Sequence, residues 1–110
     1  MKIEFRSKKL AKILQSESAI RKEYGILAKN LMVRLSELNA AQNLAGLPDC
    51  AHCHPLTGDK KGRFSVRIRK NWSLEFKPNL DKIPLLSDGG VDLEKIDSIL
   101  VLEVVDHHGE

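Results

Sequence analysis

The residues of this 110-residue chain whose types can do chemistry gather in two places. The first is His54 to Phe76, HPLTGDKKGRFSVRIRKNWSLEF. It joins a loop histidine to a run of cations: Lys60, Lys61, Arg63, Arg67 and Arg69. The second is the ending Val105-Asp106-His107-His108, which hangs two histidines off the last apolar run. A histidine takes up or releases a proton near neutral pH. An arginine holds phosphate through its planar fork. Together these side chains suit the handling of a nucleic-acid phosphate. A second constellation, Cys50-Ala51-His52-Cys53-His54, has one C-x₂-C spacing and interleaved histidines. Zinc takes Cys and His in tetrahedral sets, so Cys50, Cys53 and His52 form an alternative metal cluster, which His107 and His108 could complete. The expectation is nevertheless no metal and no cofactor, with two ordinary thiols in a loop.

These residues must be positioned by a sheet. In Phe64-Ser65-Val66-Arg67-Ile68-Arg69 apolar and polar residues alternate, as they do from Trp72 to Lys77. Successive side chains of a strand point to opposite faces. Phe64, Val66, Ile68, Trp72, Leu74 and Phe76 therefore face a core. Ser65, Arg67, Arg69, Ser73, Glu75 and Lys77 form one polar face. Lys70-Asn71 fits a tight hairpin turn, because Asn tolerates positive φ. Ile99–Val105 reads as a central strand interrupted by Glu103. Period-two counting puts Val101, Glu103, Val105 and His107 on one side of it.

Upstream, Lys2–Phe5 looks like a short strand. Ser7 is placed to cap a helix through about Leu14, and Ser16 or Ser18 to cap a longer one to about Ala41. Ile20, Tyr24, Leu27, Leu31, Leu35 and Leu38 make its apolar stripe, with Gly25 a point where it can bend. The order β-α-α-β-β-β predicts an α+β domain spanning residues 1–110, with two N-terminal helices on one face of a mostly antiparallel sheet of about four strands. Residues 78–91, with two prolines and two glycines, form a long loop that is mobile or functional.

Net charge is +3, unevenly spread. Residues 54–77 hold seven Lys/Arg against two Asp/Glu, whereas residues 78–110 hold two against eight. A basic segment suggests an anionic partner. No 18-residue apolar run offers a membrane span. Met1–Phe5 enters a strand pattern at once rather than a signal-peptide pattern, so a cytoplasmic location is expected.

The segment His54-Pro55-Leu56-x-Gly58-Asp59-x-x-Gly62-x-Phe64-Ser65, the run Arg69-x-Asn71-Trp72, the ending Asp106-x-His108 and the helix segment Arg34-Leu35-x-x-Leu38 resemble the RelE/HigB-like toxins of type II toxin–antitoxin systems, the plasmid-maintenance "killer proteins". The resemblance implies a ribosome-dependent endoribonuclease that cuts mRNA, inhibits translation and arrests growth. It implies His54, Arg69 and His108 as catalytic residues. Lys60, Lys61, Arg63 and Arg67 would bind RNA phosphate, and His107 would stack on RNA or hydrogen-bond to it. It also implies a helix-turn-helix antitoxin as partner, mRNA on the ribosome as target, and operator DNA reached only through the antitoxin. Three positions depart from the family pattern. Thr57 and Ser73 stand where a cation is usual, and His107 stands where a tyrosine is usual. They leave open a toxin relative that acts by binding, through gyrase inhibition or antitoxin co-repression.

Overall fold

A computed structural model describes residues 1–107; His108, the third catalytic candidate, lies outside the described residues. The chain runs β1 (Lys2–Phe5), α1 (Lys8–Leu14), α2 (Glu17–Tyr24), α3 (Ala28–Ala40), β2 (His54–Pro55), β3 (Phe64–Arg69), β4 (Trp72–Pro78) and β5 (Ser98–Asp106). The strands form one sheet in the order β1-β5-β4-β3-β2. β1 pairs with β5 in parallel and the other three pairings are antiparallel.

The helices start where their caps dictate. The Ser7 hydroxyl accepts from the Leu10 amide and the Ser16 hydroxyl from the Ala19 amide, each satisfying an N–H that the first turn leaves unpaired. The long helix expected up to Ala41 is two helices. Gly25 sits at φ +52, ψ −117, a backbone open to glycine alone, and a single 3-10 turn over Gly25–Leu27 joins α2 to α3. The break re-aims the apolar stripe. Ile20 of α2, Leu27 at the joint, and Leu31, Leu35 and Leu38 of α3 are all buried in one core. From the sheet they meet Phe64, Val66, Leu74, Phe76, Ile99 and Val101. Phe64 and Phe76, paired across β3 and β4, stack with ring centroids 6.1 Å apart.

The sheet has one strand more than the four expected. β2 is only His54 and Pro55, lying antiparallel at the β3 edge with His54 opposite Ser65. Two residues with a proline carry no period to read, and proline is tolerated there because an edge needs no inward N–H.

Two register shifts change which side chains share a face. In β5, Glu103 pairs with Glu75 but Val101 pairs with Phe76, so Leu102 is an inserted residue. A bulge of this kind reverses the alternation. Val101 consequently faces the core, while Glu103 and Val105 face the other way, correcting the period-two count that put all three on one side. In β3, Arg67 pairs with Ser73 but Arg69 pairs with Trp72, leaving Ile68 without a partner. Arg69 thus leaves the row it was expected to share with Ser65 and Arg67. The hairpin turns at Asn71, φ +68, as its residue type predicts.

Residues 79–97 form an organised excursion. The Asn79 amide donates to the Ser98 carbonyl, and the Asn79 side chain donates to Glu4. Leu85 bridges Val91, and the Asp92 amide donates to the Pro84 carbonyl. No helix among the described residues is long and apolar enough to cross a membrane.

Candidate functional site

The face of the sheet opposite the helices is built in rows, because directly paired residues of neighbouring strands point the same way. The central row is His54, Ser65, Glu75 and Glu103, running from β2 to β5. Next to it lies Arg67, Ser73 and Val105. On the other side of the central row lie Lys77 and Leu100.

The central row is not the open surface that alternation predicts. Ser65 is 2% exposed and Glu75 1%. The loop between β2 and β3 folds back over them and brings its own cations. Lys60 Nζ lies 3.0 Å from one Glu75 oxygen and Arg63 Nη1 lies 3.1 Å from the other. Arg63 Nη1 also reaches Glu103 at 2.8 Å. A buried carboxylate is costly unless it is paired and hydrogen-bonded, and these contacts supply both. The hydrogen bond to Glu75 raises the Lys60 ammonium above its ordinary range, and Glu103 and then Glu75 do the same for the Arg63 guanidinium. Two of the expected phosphate-binding cations are therefore engaged within the protein. Lys61 and Arg67 are exposed and form no ion pair among the described residues.

His54 is exposed at the sheet edge, and its Nδ1 lies 2.8 Å from the His52 carbonyl oxygen. A carbonyl only accepts, so Nδ1 carries the proton and donates, leaving Nε2 with a free lone pair in the neutral ring. The carbonyl is aimed by His52 itself, which adopts a left-handed backbone at φ 50, ψ 46 after the 3-10 turn Asp49–Ala51. This support was not legible in the sequence. Residue type alone does not announce a left-handed histidine. His54 lies diagonally across from Arg67 through the pair His54–Ser65, a spacing of about 7–8 Å between backbones that long side chains span.

Arg67 is held from behind by Arg34 of α3. Arg34 Nε donates to the Arg67 carbonyl at 2.6 Å, at the register shift where β3 loses regular pairing. Its Nη2 donates to the Cys50 carbonyl at 2.9 Å and its Nη1 to Glu37 at 2.7 Å. One side chain thereby ties the helix layer to β3 and to the loop that carries His52 and His54. Arg69 is exposed, opposite Trp72, whose other cross-strand neighbour is Asp106. The His107 amide donates to the Asn71 carbonyl at 2.7 Å, which docks the end of β5 beside the hairpin turn. The segment that carries His107 therefore lies at the hairpin-turn end of the row formed by Arg67, Ser73 and Val105.

The two departures from the family's cation pattern take different places. Thr57 is exposed at the start of the turn Gly58–Lys60. Ser73 is half-buried between Arg67 and Val105. Arg67 is thus the cation next to the missing one. Among the described residues no three His, Cys, Asp or Glu come together as a group that could hold an ion, and His108, which the alternative cluster could use, lies outside them. Cys50 is exposed, whereas burial pushes the Cys53 thiol up to about 11.

Solved structures share this fold. A YafQ variant from E. coli superposes with a TM-score of 0.53 at 20% identity, over 94% of this chain and 90% of that one. A YoeB/ParE toxin from Agrobacterium tumefaciens gives 0.56 at 11% identity, over 98% and 100%. At these identities the likeness is one of fold. The E. coli DinJ–YafQ complex lies further off, at a TM-score of 0.45 and 21% identity, over 96% and 91%. No curated protein matches the sequence. The family model described as "RelE-like toxin of type II toxin-antitoxin system HigB" matches residues 3–84, which hold the helices, the His54 loop and the β3–β4 hairpin. The chain belongs to this family of RelE-like, HigB-type toxins.

Proposed function

We propose that this toxin is a ribosome-dependent mRNA endoribonuclease that works on the His54–Arg67 half of its polar sheet face. The observation that carries the reading is the His54 tautomer. With Nδ1–H committed to the His52 carbonyl, Nε2 is the acceptor available to a ribose 2′-OH. His54 takes that proton as the 2′ oxygen attacks the adjacent phosphorus. The P–O5′ bond breaks, a 2′,3′-cyclic phosphate forms, and the departing 5′ oxygen takes a proton from a second acid. The strand end carrying His107, followed in sequence by His108, supplies candidates for that acid. Arg67, with Arg69 further out, balances the charge that grows on the phosphate oxygens. Its antitoxin, expected to carry a helix-turn-helix, is the protein partner, and operator DNA is reached through it.

Primer extension on an mRNA translated in a purified system tests the reading. Cuts inside codons are expected only while ribosomes translate, and His54→Ala is expected to abolish them while the melting temperature stays unchanged. An uncut message in the presence of folded wild-type protein overturns it.

One observation favours a second reading, in which the toxin acts by binding alone. Thr57 and Ser73 lack the usual charge, and Glu75 and Glu103 occupy Lys60 and Arg63. Inhibition of DNA gyrase supercoiling by the wild-type protein, with mRNA left intact, would establish it.

A further inference from the structure

The large aliphatic side chains that the described residues expose are concentrated in one place. Leu80, Ile83, Leu85 and Leu86 lie within seven consecutive residues, and only Ile26 and Val33 are exposed elsewhere. Leu85 is 62% exposed and Leu80 40%. This is not a slack loop that failed to collapse. The Leu86 amide donates to the Gly90 carbonyl at 2.7 Å, the Asp88 side chain accepts from the Gly90 amide at 2.9 Å, and Gly89 supplies the positive φ, +89, that the turn requires. The small hairpin is organised and holds its apolar residues in water. Contiguous exposed apolar surface of this kind marks an interaction site.

Beside it lies an open groove of about 470 Å³. Its apolar wall is Pro78, Leu80, Ile83 and Leu100, and its rim carries Lys61 and Lys77. Neither lysine forms an ion pair among the described residues. Arg63 closes the groove on the side of Glu75 and Glu103. An aliphatic floor with cations at the rim complements a chain segment that alternates aliphatic and carboxylate side chains. It complements single-stranded RNA poorly, because bases stack on rings or guanidinium planes, no aromatic residue lines this groove, and its one guanidinium, Arg63, is held by Glu75 and Glu103.

We infer that the groove between residues 78–83 and the Lys61–Lys77 rim is a docking site for an aliphatic, acidic segment of the toxin's protein antitoxin. The inference rests on the chain's membership of a toxin–antitoxin family and not on RNA cleavage. In this arrangement the loop over residues 78–91 presents the apolar half of the contact.

The test uses the full chain and the antitoxin encoded in the reading frame beside its gene, with binding measured by calorimetry at two salt concentrations. Leu80→Asn combined with Ile83→Asn is expected to weaken binding by on the order of tenfold or more, as truncating a central apolar anchor does. Lys61→Glu combined with Lys77→Glu is expected to weaken it comparably and to flatten its salt dependence. All four positions are at the surface, so unchanged thermal melting confirms that each variant is folded. Wild-type affinity in both double variants overturns the inference. So does loss of affinity for a single-stranded RNA oligonucleotide with antitoxin binding intact, which would make the groove an RNA surface. Primer extension with the same variants separates this outcome from failure of the nuclease reading.

Discussion

Arg63 and Arg67 lie four residues apart and serve the same sheet face, but they are in opposite situations. Arg63 is clamped between Glu75 and Glu103, and Lys60 joins it on Glu75. Arg67 has its backbone fixed by Arg34 while its side chain remains exposed and unpaired among the described residues. The difference comes from the row each one meets. Arg63 reaches a row that contains a buried carboxylate, and Arg67 sits opposite a serine. A cation count of the segment treats the two alike. The structure divides them into one that holds the loop down and one that is available to an anion.

The largest expected effect breaks this comparison on the available side. Arg67→Ala should lower ribosome-dependent cleavage by about 10²–10³-fold, the usual cost of losing one donor to a developing anion. It should leave stability within about 0.5 kcal/mol, as surface changes do. Rates from primer extension, set beside urea midpoints, check both halves. On the clamped side, Lys60→Ala together with Arg63→Ala should cost about 3 kcal/mol of stability. That is the low end for breaking a buried pair, because about a third of each cationic side chain remains in water. A urea midpoint equal to wild type would show that the clamp does not hold the loop down.

A gentler change sharpens the comparison instead of breaking it. Glu75→Gln keeps the side chain's size and much of its hydrogen bonding but removes its charge. If the clamp is what withholds Lys60 from RNA, its release should steepen the salt dependence of single-strand binding by about 0.7 in the log–log slope, while Arg63 stays on Glu103. Fluorescence anisotropy over a salt series reads this directly. The smallest effect concerns the loop that leads to His54. The Cys53 thiol is pushed up to about 11 by burial, whereas Cys50 is exposed. Mass spectrometry after brief alkylation at mildly alkaline pH should find Cys50 modified well ahead of Cys53. Stability shifts with pH in the same direction. An unfolded Cys53 ionises in the ordinary thiol range, while the folded one stays protonated up to about 11. The burial's contribution is therefore whole below that range and is lost as pH rises through it toward about 11.

Much of the frame was legible. Alternation located β3 and β4, Asn71 located the turn, and Ser7 located the first helix start, with Ser16 one of two candidates for the second, because each of these is decided within a few residues. What escaped the sequence depends on residues distant along the chain. The inserted Leu102 is defined only by the strand it pairs with, and it reversed the facing of everything beyond it in β5. Burial of Ser65 and Glu75 depends on a loop folding back over them. The His54 tautomer depends on the backbone angle of His52. The candidate residues can thus be named from the sequence, but their division into held and available cannot.

The strand order carries a consequence in time. β5 lies between β1 and β4, so the last strand along the described chain is the one that joins the first to the rest. Its pairing with β1 sets Lys2 against Ser98, a separation of almost the entire chain. Contacts this distant form late and slowly, because closing such a loop costs entropy before any contact compensates for it. During synthesis the helices can form and the β3–β4 hairpin can close, yet the sheet remains in two pieces until residues 98–106 have been made. The nascent toxin therefore stays unassembled until residues 98–106 have been made, and its core closes only as that strand arrives.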